Sequence, residues 1–373
     1  MIHYFNPGHE TAVLNGSKFY RPAIPVLKMQ ADLASLPAWY AAPDDYVLLS
    51  NQAIPQEARN EQVALWGISP QSIHFFEKLN KQYDLQLKIP EWKEEYRFLG
   101  SRFASQQALA RLMDAIPEIE NDILPQFFSD MDEIEKCLMQ SQEKQLLKSP
   151  YSSSGRGLVW LPPGELARSE RQIISGMLKK QSRVSIEKAL DKQLDFSMHF
   201  ENTPEGETKF IGYSIFQTNA KGAYEKSFLA NQNALEKQIS AFIDKDLLRI
   251  VQNTINKILN DLYSTNYTGN IGVDMLVYLS GGQYKLNPCV EINMRKSMGY
   301  LAVRLFENYL HPDVHGEFFV EYHPDSKALY QKHLELQQQY PLVFENGLIK
   351  SGYQNLCPVT ETSNYHAFII IAQ

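Results

Sequence analysis

The clearest pattern of apolar and polar positions lies around residue 280. Residues 267–278 and 284–294 both alternate, and Ser-Gly-Gly-Gln joins them, which predicts a β-hairpin. A turn centred on the two glycines would place Asp274 opposite Cys289. One face would then be apolar and belong to the core, whereas the other face would carry Asp274, Cys289, Glu291 and Asn293.

Other stretches predict a chain of mixed strands and helices. Further alternating or continuous apolar runs predict strands at 2–5, 46–50, 184–190, 196–200 and 210–216. His199 falls on the polar phase of its strand, which predicts a surface histidine. Apolar residues at helical spacing, or polar segments between strands, predict helices at 56–66, 101–113, 131–139, 165–180 and 240–262.

Leu99-Gly100-Ser101 marks a domain boundary, because Ser101 suits the N-cap of the following helix. Residues 1–98 are therefore predicted to form a small α/β domain. After residue 303 the tail carries a strand at 318–322, a helix at 325–339 and a closing strand at 366–372, without a recognisable motif. We expect residues 304–373 to complete the core or to form an oligomer contact.

Composition is that of an ordinary globular protein, and 373 residues suffice for two or three domains. The net charge of -7 gives no general attraction for nucleic acid or anionic membranes. The cysteines Cys137, Cys289 and Cys357 are far apart, as expected of reduced thiols. The start resembles no signal peptide and no apolar run is long enough to span a membrane, so we expect a cytoplasmic protein.

A lysine and a run of small residues lie between two apolar stretches. Small side chains let backbone N–H groups approach a phosphate, and nearby cations offset its charge. Pro162-Pro163 soon follows, so the loop cannot open a long helix as the common P-loop and dinucleotide motifs require. An ordinary hairpin loop has the same composition. The candidate phosphate ligands are Lys148, Ser152, Ser153, Ser154, Gly155, Arg156 and Gly157.

The polar face of the predicted hairpin offers oxygen ligands. Asp274 and Glu291 would be diagonal neighbours about 7–8 Å apart. Together with Asn293 they form a set of hard ligands suited to Mg²⁺ or Mn²⁺. The alternative is a solvent-facing strand with ordinary acidic residues. With Arg295 directly after it, the cluster combines with the phosphate loop to predict a magnesium–nucleotide site.

His9 and Glu10 follow the first strand, at the place where open α/β sheets present ligand-binding groups. They are candidate substrate contacts. The alternative is a surface turn set by Pro7 and Gly8.

Residues 99–303 resemble the ATP-grasp superfamily in four motifs that occur in the expected order. They are Lys148 with the small-residue flap, an adenine hinge at 186–190 followed by Asp195, Gly272-Val273-Asp274, and Glu291-Ile292-Asn293-Met294-Arg295. The resemblance implies a mixed α/β (α+β) ATP-grasp fold preceded by a pre-ATP-grasp domain at 1–98. It also implies a smaller subdomain, 99–190, with the phosphate loop, and a larger one, 191–303, with the metal site.

The resemblance also implies roles for individual residues. Glu187 would accept from the adenine amino group, the backbone of Lys188, Ala189 and Leu190 would read the ring edge, and Asp195 would hold the ribose. Asp274, Glu291 and Asn293 would bind magnesium. Lys148 and Arg295 would be catalytic, with Arg295 steadying an acyl phosphate.

By this resemblance the chain is an ATP- and Mg²⁺-dependent ligase that activates a small-molecule carboxylate for attack by an amine. Many members carry a second phosphate-binding lysine where this chain has Gln106, and Arg102 is the candidate substitute. A small-molecule kinase and a non-catalytic nucleotide-binding protein are the alternatives. The motifs do not identify the acid or the amine, and they leave open a homo-oligomer.

Overall fold

The computed structural model describes residues 1–49, 52–152, 155, 157–219 and 222–372. Within these ranges the strands form three sheets, of three, nine and four strands. No helix in the described ranges has the length and apolar character needed to cross a membrane.

The N-terminal residues form a parallel sheet in the order β2-β1-β3. The helix predicted at 56–66 is wrong, because Gln56–Ala58 forms only one 3₁₀ turn and β3 follows. Val63 and Leu65 alternate with a less buried residue and pair with β1, so a period of two prevails there. The elements are β1 (Ile2–Tyr4), α1 (His9–Asn15), α2 (Ile24–Asp32), β2 (Tyr46–Val47), β3 (Val63–Leu65), α3 (Pro70–Tyr83) and α4 (Glu95–Leu99).

The next segment forms a four-stranded antiparallel sheet in the order β4-β7-β5-β6. Ser101 caps its first helix as predicted, since its side chain accepts from the amide of Phe103. The elements are α5 (Arg102–Ala115), β4 (Gln126–Phe128), α6 (Met131–Gln140), β5 (Gln145–Lys148), β6 (Leu158–Leu161), α7 (Arg168–Gln181) and β7 (Val184–Lys188).

The rest of the described chain builds the nine-stranded sheet, in the order β12-β11-β8-β9-β10-β13-β16-β15-β14. The tail after residue 303 contributes β13, β16, β15 and β14, and β13 pairs directly with β10. The elements are β8 (Asp191–Asn202), β9 (Thr208–Thr218), β10 (Tyr224–Leu229), α8 (Gln232–Ile239), α9 (Lys245–Tyr263), β11 (Gly269–Ser280), β12 (Gln283–Asn293), α10 (Met298–Tyr309), β13 (Gly316–Tyr322), α11 (Ser326–Gln339), β14 (Val343–Glu345), β15 (Leu348–Asn355) and β16 (Tyr365–Ile371).

The long helix predicted at 240–262 is α9, but it begins at Lys245, five residues later than predicted, and α8 ends just before the predicted range, at Ile239. Asp244 separates them, because its side chain accepts from the amides of Asp246 (2.8 Å) and Leu247 (3.2 Å) and so caps α9. The apolar stripe of α9 is buried in the largest core, as the spacing predicted. Its fully covered members include Leu248, Val251, Ile255 and Leu259.

His199 is also not at the surface, contrary to the prediction from its strand phase. It is only 2% exposed and its Nε2 lies 2.8 Å from the Ser214 hydroxyl. Helix α10 packs over this face of β8, so the polar phase is covered as well: a Cβ on Gly299 would lie 2.6 Å from the same ring nitrogen. Burial lowers the pKa of His199 to about 3, which keeps the ring neutral.

Removing a core side chain from α9 tests this packing. Ile255 is 0% exposed, whereas Ile250 on the same helix is 47% exposed. We expect Ile255→Ala to lower the free energy of unfolding by about 2–5 kcal/mol, because it removes buried methyl groups and leaves a cavity. Ile250→Ala should change it by less than about 0.5 kcal/mol. Calorimetric unfolding of both variants measures the difference, and equal effects would contradict this orientation of α9.

Candidate active site

A cavity of about 510 Å³ lies where the three sheets approach one another. Predicted site residues from distant parts of the sequence line it. They are Lys148, Ser152, Gly155, Glu187, Lys188, Leu190, Asp195, Asp274, Glu291, Asn293 and Arg295. The cavity therefore gathers the residues of all four motifs in one place.

Lys148 ends β5, and Glu187 lies near the end of the adjacent strand β7. Their side chains form an ion pair in which Lys148 is almost completely covered. Asp195, on β8, accepts from Lys192 (2.5 Å) and from the Thr218 hydroxyl (3.3 Å). Burial outweighs these contacts and raises the pKa of Asp195 above its ordinary value. Lys148 and Glu187, the residues assigned to phosphate and adenine, thus bind each other.

The predicted phosphate loop connects β5 to β6, the strand-to-strand setting expected from Pro162-Pro163. The Ser149 amide donates to the Gly157 carbonyl (3.0 Å) and closes the base of the loop. Gly157 has a φ of 79°, and a Cβ there would lie 3.0 Å from the Ser149 hydroxyl, so the conformation requires glycine. The predictions for Ser153, Ser154 and Arg156 fall outside the described residues.

The predicted hinge lies between β7 and β8. Lys188 and Leu190 line the cavity. The Lys188 ammonium contacts Asp122 (3.1 Å) and Glu143 (2.9 Å). Ala189 is not among the lining residues, and its amide already donates to the Lys144 carbonyl (3.0 Å). The Ala189 amide is therefore engaged within the fold, and the adenine-reading role of this backbone stays a prediction.

The hairpin brings the predicted metal ligands closer together than expected. Its turn and first pairs, from Ser280 opposite Gln283 to Leu276 opposite Asn287, are as predicted. A register shift between Asp274 and Leu276 then sets Asp274 directly opposite Glu291, so the predicted partner Cys289 is wrong. Pro288 lies in the irregular stretch of β12, and proline has no amide to continue the ladder.

The same irregularity exchanges the faces of two residues. Cys289, predicted to be on the polar face, is 2% exposed in the core, and its thiol lies 3.5 Å from the Ser105 carbonyl oxygen. Val290, predicted to be in the core, lines the cavity instead. Beyond the shift, Val273 and Ile292 are buried as predicted, so Asp274, Glu291 and Asn293 share the cavity face.

Charge and hydrogen bonds around Asp274 define the centre of the cavity. Its carboxylate accepts from the Ser197 hydroxyl (2.7 Å) and from the Asn293 amide (3.0 Å). Loss of hydration and the facing Glu291 carboxylate outweigh these donors and raise the pKa of Asp274 to about 6. Two carboxylates that repel each other across a hairpin, beside an amide oxygen, are a donor set that a divalent cation would stabilise.

These donors fit magnesium as a partial site. Among the described residues no group of three or more His, Cys, Asp or Glu side chains is arranged to hold a metal ion. Asp274 and Glu291 supply two carboxylates and Asn293 an amide. Magnesium usually keeps several waters and recruits substrate phosphates, so it needs no complete protein cage.

Arg102, the candidate substitute for the second phosphate-binding lysine, lines the cavity. It begins α5, is 9% exposed, and donates to Glu291 (3.0 Å) and to the Ser149 carbonyl (3.2 Å). The Gln106 side chain donates to the Pro125 carbonyl (2.6 Å), and Gln106 does not line the cavity. Position 106 therefore faces elsewhere, and the cavity cation of this helix lies one turn earlier, at Arg102.

The N-terminal residues close the opposite end of the cavity. Arg295 donates from Nε to Glu10 (2.6 Å) and from Nη1 to the Lys296 carbonyl (3.0 Å). Burial alone would raise the pKa of Glu10, but His9 and Arg295 beside it hold that pKa well below its ordinary value. His9 and Glu10 therefore line the cavity, and the alternative of a plain surface turn is wrong.

Ser197 and Trp66 also line the cavity and were not predicted. Ser197 alternates with other polar positions on β8, which carried no distinguishing signal. Trp66 follows β3 in a segment whose secondary structure was misassigned. Their presence depends on tertiary contacts between segments far apart in sequence.

The chain matches no protein-family model and no curated protein sequence. Solved structures match it along its whole length at low identity. N5-carboxyaminoimidazole synthetase from Staphylococcus aureus, complexed with ADP, gives a TM-score of 0.52 at 13% identity, covering 100% of this chain and 93% of that one. Biotin carboxylase from Campylobacter jejuni, in a β-γ-ATP complex, gives 0.53 at 12%, covering 100% and 87%.

A third similar structure is N5-carboxyaminoimidazole synthase from Aspergillus clavatus in complex with ADP and 5-aminoimidazole ribonucleotide. Its TM-score is 0.50 at 12% identity, covering 100% of this chain and 93% of that one. At such identities the likeness is one of fold, and it confirms the prediction made from the four motifs. The chain has the mixed α/β ATP-grasp fold.

Proposed function

We propose that the protein is an ATP- and Mg²⁺-dependent ligase that converts a carboxylate into an acyl phosphate for attack by an amine. The observation that carries the proposal is a single cavity joining the Lys148–Glu187 end to the Asp274–Glu291 pair and to Arg295. The similar structures are described as complexes with ADP or a β-γ-ATP ligand, which supports ATP as a substrate.

Lys148, Arg102 and Arg295 line the cavity and would offset the negative charge of the substrates. Lys148 would leave its ion pair with Glu187 and bind a phosphate instead. The Glu187 carboxylate would then be free to accept a hydrogen bond from the adenine amino group. Arg102 lies between Glu291 and the base of the phosphate loop, where it would hold a phosphate oxygen. The amides of Ser152, Gly155 and Gly157 would contribute further donors, and Asp195 would hold the ribose.

Asp274, Glu291 and Asn293 would hold magnesium, which neutralises charge on the transferred phosphoryl group. Arg295 would bind the acid substrate and then the acyl phosphate through the guanidinium edge that Glu10 leaves open. Glu10 would act as a positioning residue, because it fixes the guanidinium from the side. The amine itself is the nucleophile, so the protein need not supply a covalent one.

Nucleotide binding tests the site. We expect MgATP to raise the thermal midpoint of the wild type, and to raise that of Lys148→Ala, Asp274→Asn and Glu291→Gln much less. Loss of one charged contact should weaken binding by about tenfold or more, roughly 1.4 kcal/mol. Differential scanning fluorimetry at several MgATP concentrations measures this, each variant against its own nucleotide-free midpoint.

The exposed variants Lys180→Ala and Asp313→Asn are the matched controls and should respond like the wild type. If all variants shift equally, the site assignment is wrong. The comparison with each variant's own midpoint matters because Asp274→Asn also relieves the repulsion from Glu291.

Substitutions at Arg102 and Gln106 test which position on α5 contacts the nucleotide phosphates. We expect Arg102→Gln to weaken MgATP binding by about tenfold, since its guanidinium lies in the cavity. Gln106→Ala should leave the affinity unchanged, because its amide faces Pro125. Titration calorimetry gives both values. A larger loss with Gln106→Ala would assign the phosphate contact to position 106.

The reaction class follows from the products. We expect ADP release to require a carboxylate and to be sustained by hydroxylamine, which would trap the acyl phosphate as a hydroxamate detected by its iron complex. A kinase would instead release ADP with a hydroxyl compound and yield a stable phosphate ester. Tight MgATP binding without turnover on any acid, amine or alcohol would support a non-catalytic nucleotide-binding protein.

A further inference from the structure

The cavity extends past Arg295 into a region that neither the nucleotide nor the metal ligands explain. The N-terminal elements and α10 enclose it with apolar side chains. We call this region the apolar wall and define it as Phe5, Val26, Met29, Trp66 and Met298.

The apolar wall is held in place by close packing. A Cβ on Gly8 would lie 3.1 Å from Val26, and one on Gly67 would lie 2.4 Å from the His9 ring. The Asn6 side chain fixes Gly67 from both sides, donating to its carbonyl (2.7 Å) and accepting from its amide (3.2 Å). The wall is therefore a preformed surface, as small-molecule sites usually are.

Helix α2, which supplies Val26 and Met29, has no buried residue. Its other apolar residues face solvent, with Ile24 83% and Leu27 48% exposed. Its C-terminal end is nevertheless anchored, since Asp32 accepts from the backbone amides of Asn364 (2.9 Å) and Tyr365 (3.1 Å). Val26 and Met29 thus lie against the cavity on a fixed helix without a fully buried residue; Met29 also packs against the neighbouring core, and an apolar ligand would complete the burial of both side chains.

Polar donors lie at the inner end of the apolar wall. Arg295 uses Nε and Nη1 within the protein, which leaves Nη2 without a partner among the described residues. His9 is 8% exposed, and within the described part of the chain its Nδ1 has no hydrogen-bond partner, although it lies 3.3 Å from a Glu10 oxygen. The N-cap of α10, Ser297, and its first two residues, Met298 and Gly299, line the same end. Such donors suit a carboxylate.

We propose that the acid substrate is a monocarboxylate with an apolar side group, bound against the apolar wall; this rests on the proposed ligase function. Its carboxylate must lie beside Arg295 and the Asp274–Glu291 pair to receive a phosphoryl group. The nucleotide would occupy the Lys148 end, and the apolar wall, which adjoins Arg295 through Glu10 and His9, would receive the rest of the acid.

The charges around the wall exclude a second ionic group on the acid. Glu10 is matched by Arg295, so it offers no spare charge to an ammonium group. No cationic side chain belongs to the apolar wall, so a second carboxylate would lose its hydration without a partner there.

Two matched pairs of acids test the substrate class. We expect hexanoate to bind at least tenfold more tightly than adipate, and hydrocinnamate at least tenfold more tightly than phenylalanine. The reason is that burying an unpaired charge weakens binding by about tenfold or more. Titration calorimetry with MgADP present, and again without nucleotide, measures the four affinities. Equal or tighter binding of adipate or phenylalanine, or no binding of any of the four acids, would overturn the proposal.

Two aspartate substitutions on α2 locate the site. Val26→Asp should weaken hydrocinnamate binding at least tenfold, because it places a charge in the apolar wall. Leu27→Asp, on the exposed side of the same helix, should bind like the wild type. If Val26→Asp also binds like the wild type, the acid lies elsewhere.

MgADP binding separates this proposal from the proposed function. Both aspartate variants should keep the MgADP affinity of the wild type. Binding of hydrocinnamate without any binding of MgADP would refute the ligase while leaving the apolar acid site in place. Binding of MgADP with a preference for adipate would refute the apolar acid site alone.

Discussion

Asp274 and Glu291 face each other across a strand pair, and their repulsion is the constraint on which the cavity is built. Ser197 and Asn293 offset it with hydrogen bonds to Asp274, and Arg102 offsets it with an ion pair to Glu291. These partners come from β8, from β12 and from α5, so three separate elements are fixed by one charge pair. The pKa of Asp274, raised to about 6, shows that loss of hydration and the facing Glu291 outweigh these partners. A divalent cation is the group that would complete the compensation.

The remaining charges of the cavity are paired in the same way. Lys148 contacts Glu187 and Arg295 contacts Glu10, so each of these cations already has a carboxylate partner. A triphosphate alone would add negative charge beside these carboxylates, whereas a triphosphate carrying a magnesium ion would add much less. Arg102 also donates to the Ser149 carbonyl at the base of the phosphate loop, so the loop and the metal ligands are connected through one side chain. This charge balance favours a nucleotide that carries magnesium over the free nucleotide.

The sequence was sufficient for features that depend on neighbouring residues. The glycine turn of the hairpin, the loop after Lys148 and the apolar stripe of α9 are local patterns, and the ATP-grasp fold followed from motifs built on them. The register of Asp274 could not be obtained in that way, because the hairpin pattern alone gives a continuous register and does not place the irregularity near Pro288. Arg102 and Glu291 are 189 positions apart, and His199 is covered by a helix a hundred residues later, so neither contact has a local signature.

The two ends of the cavity are built by different parts of the chain, and this division has a chemical consequence. The Lys148 end and the Asp274–Glu291 pair lie within the ATP-grasp motifs, whereas the apolar wall comes mainly from the first 66 residues. Arg295 belongs to a motif but is oriented by Glu10 from the N-terminal segment. A fold shared with enzymes named for other reactions can therefore keep its nucleotide end while the N-terminal segment sets which acid fits. The Asn6 side chain fixes that segment through its hydrogen bonds to the Gly67 backbone, which do not depend on a ligand. The proposed acid site would thus have its shape before substrate binds, and its selectivity would arise from the side chains of the apolar wall.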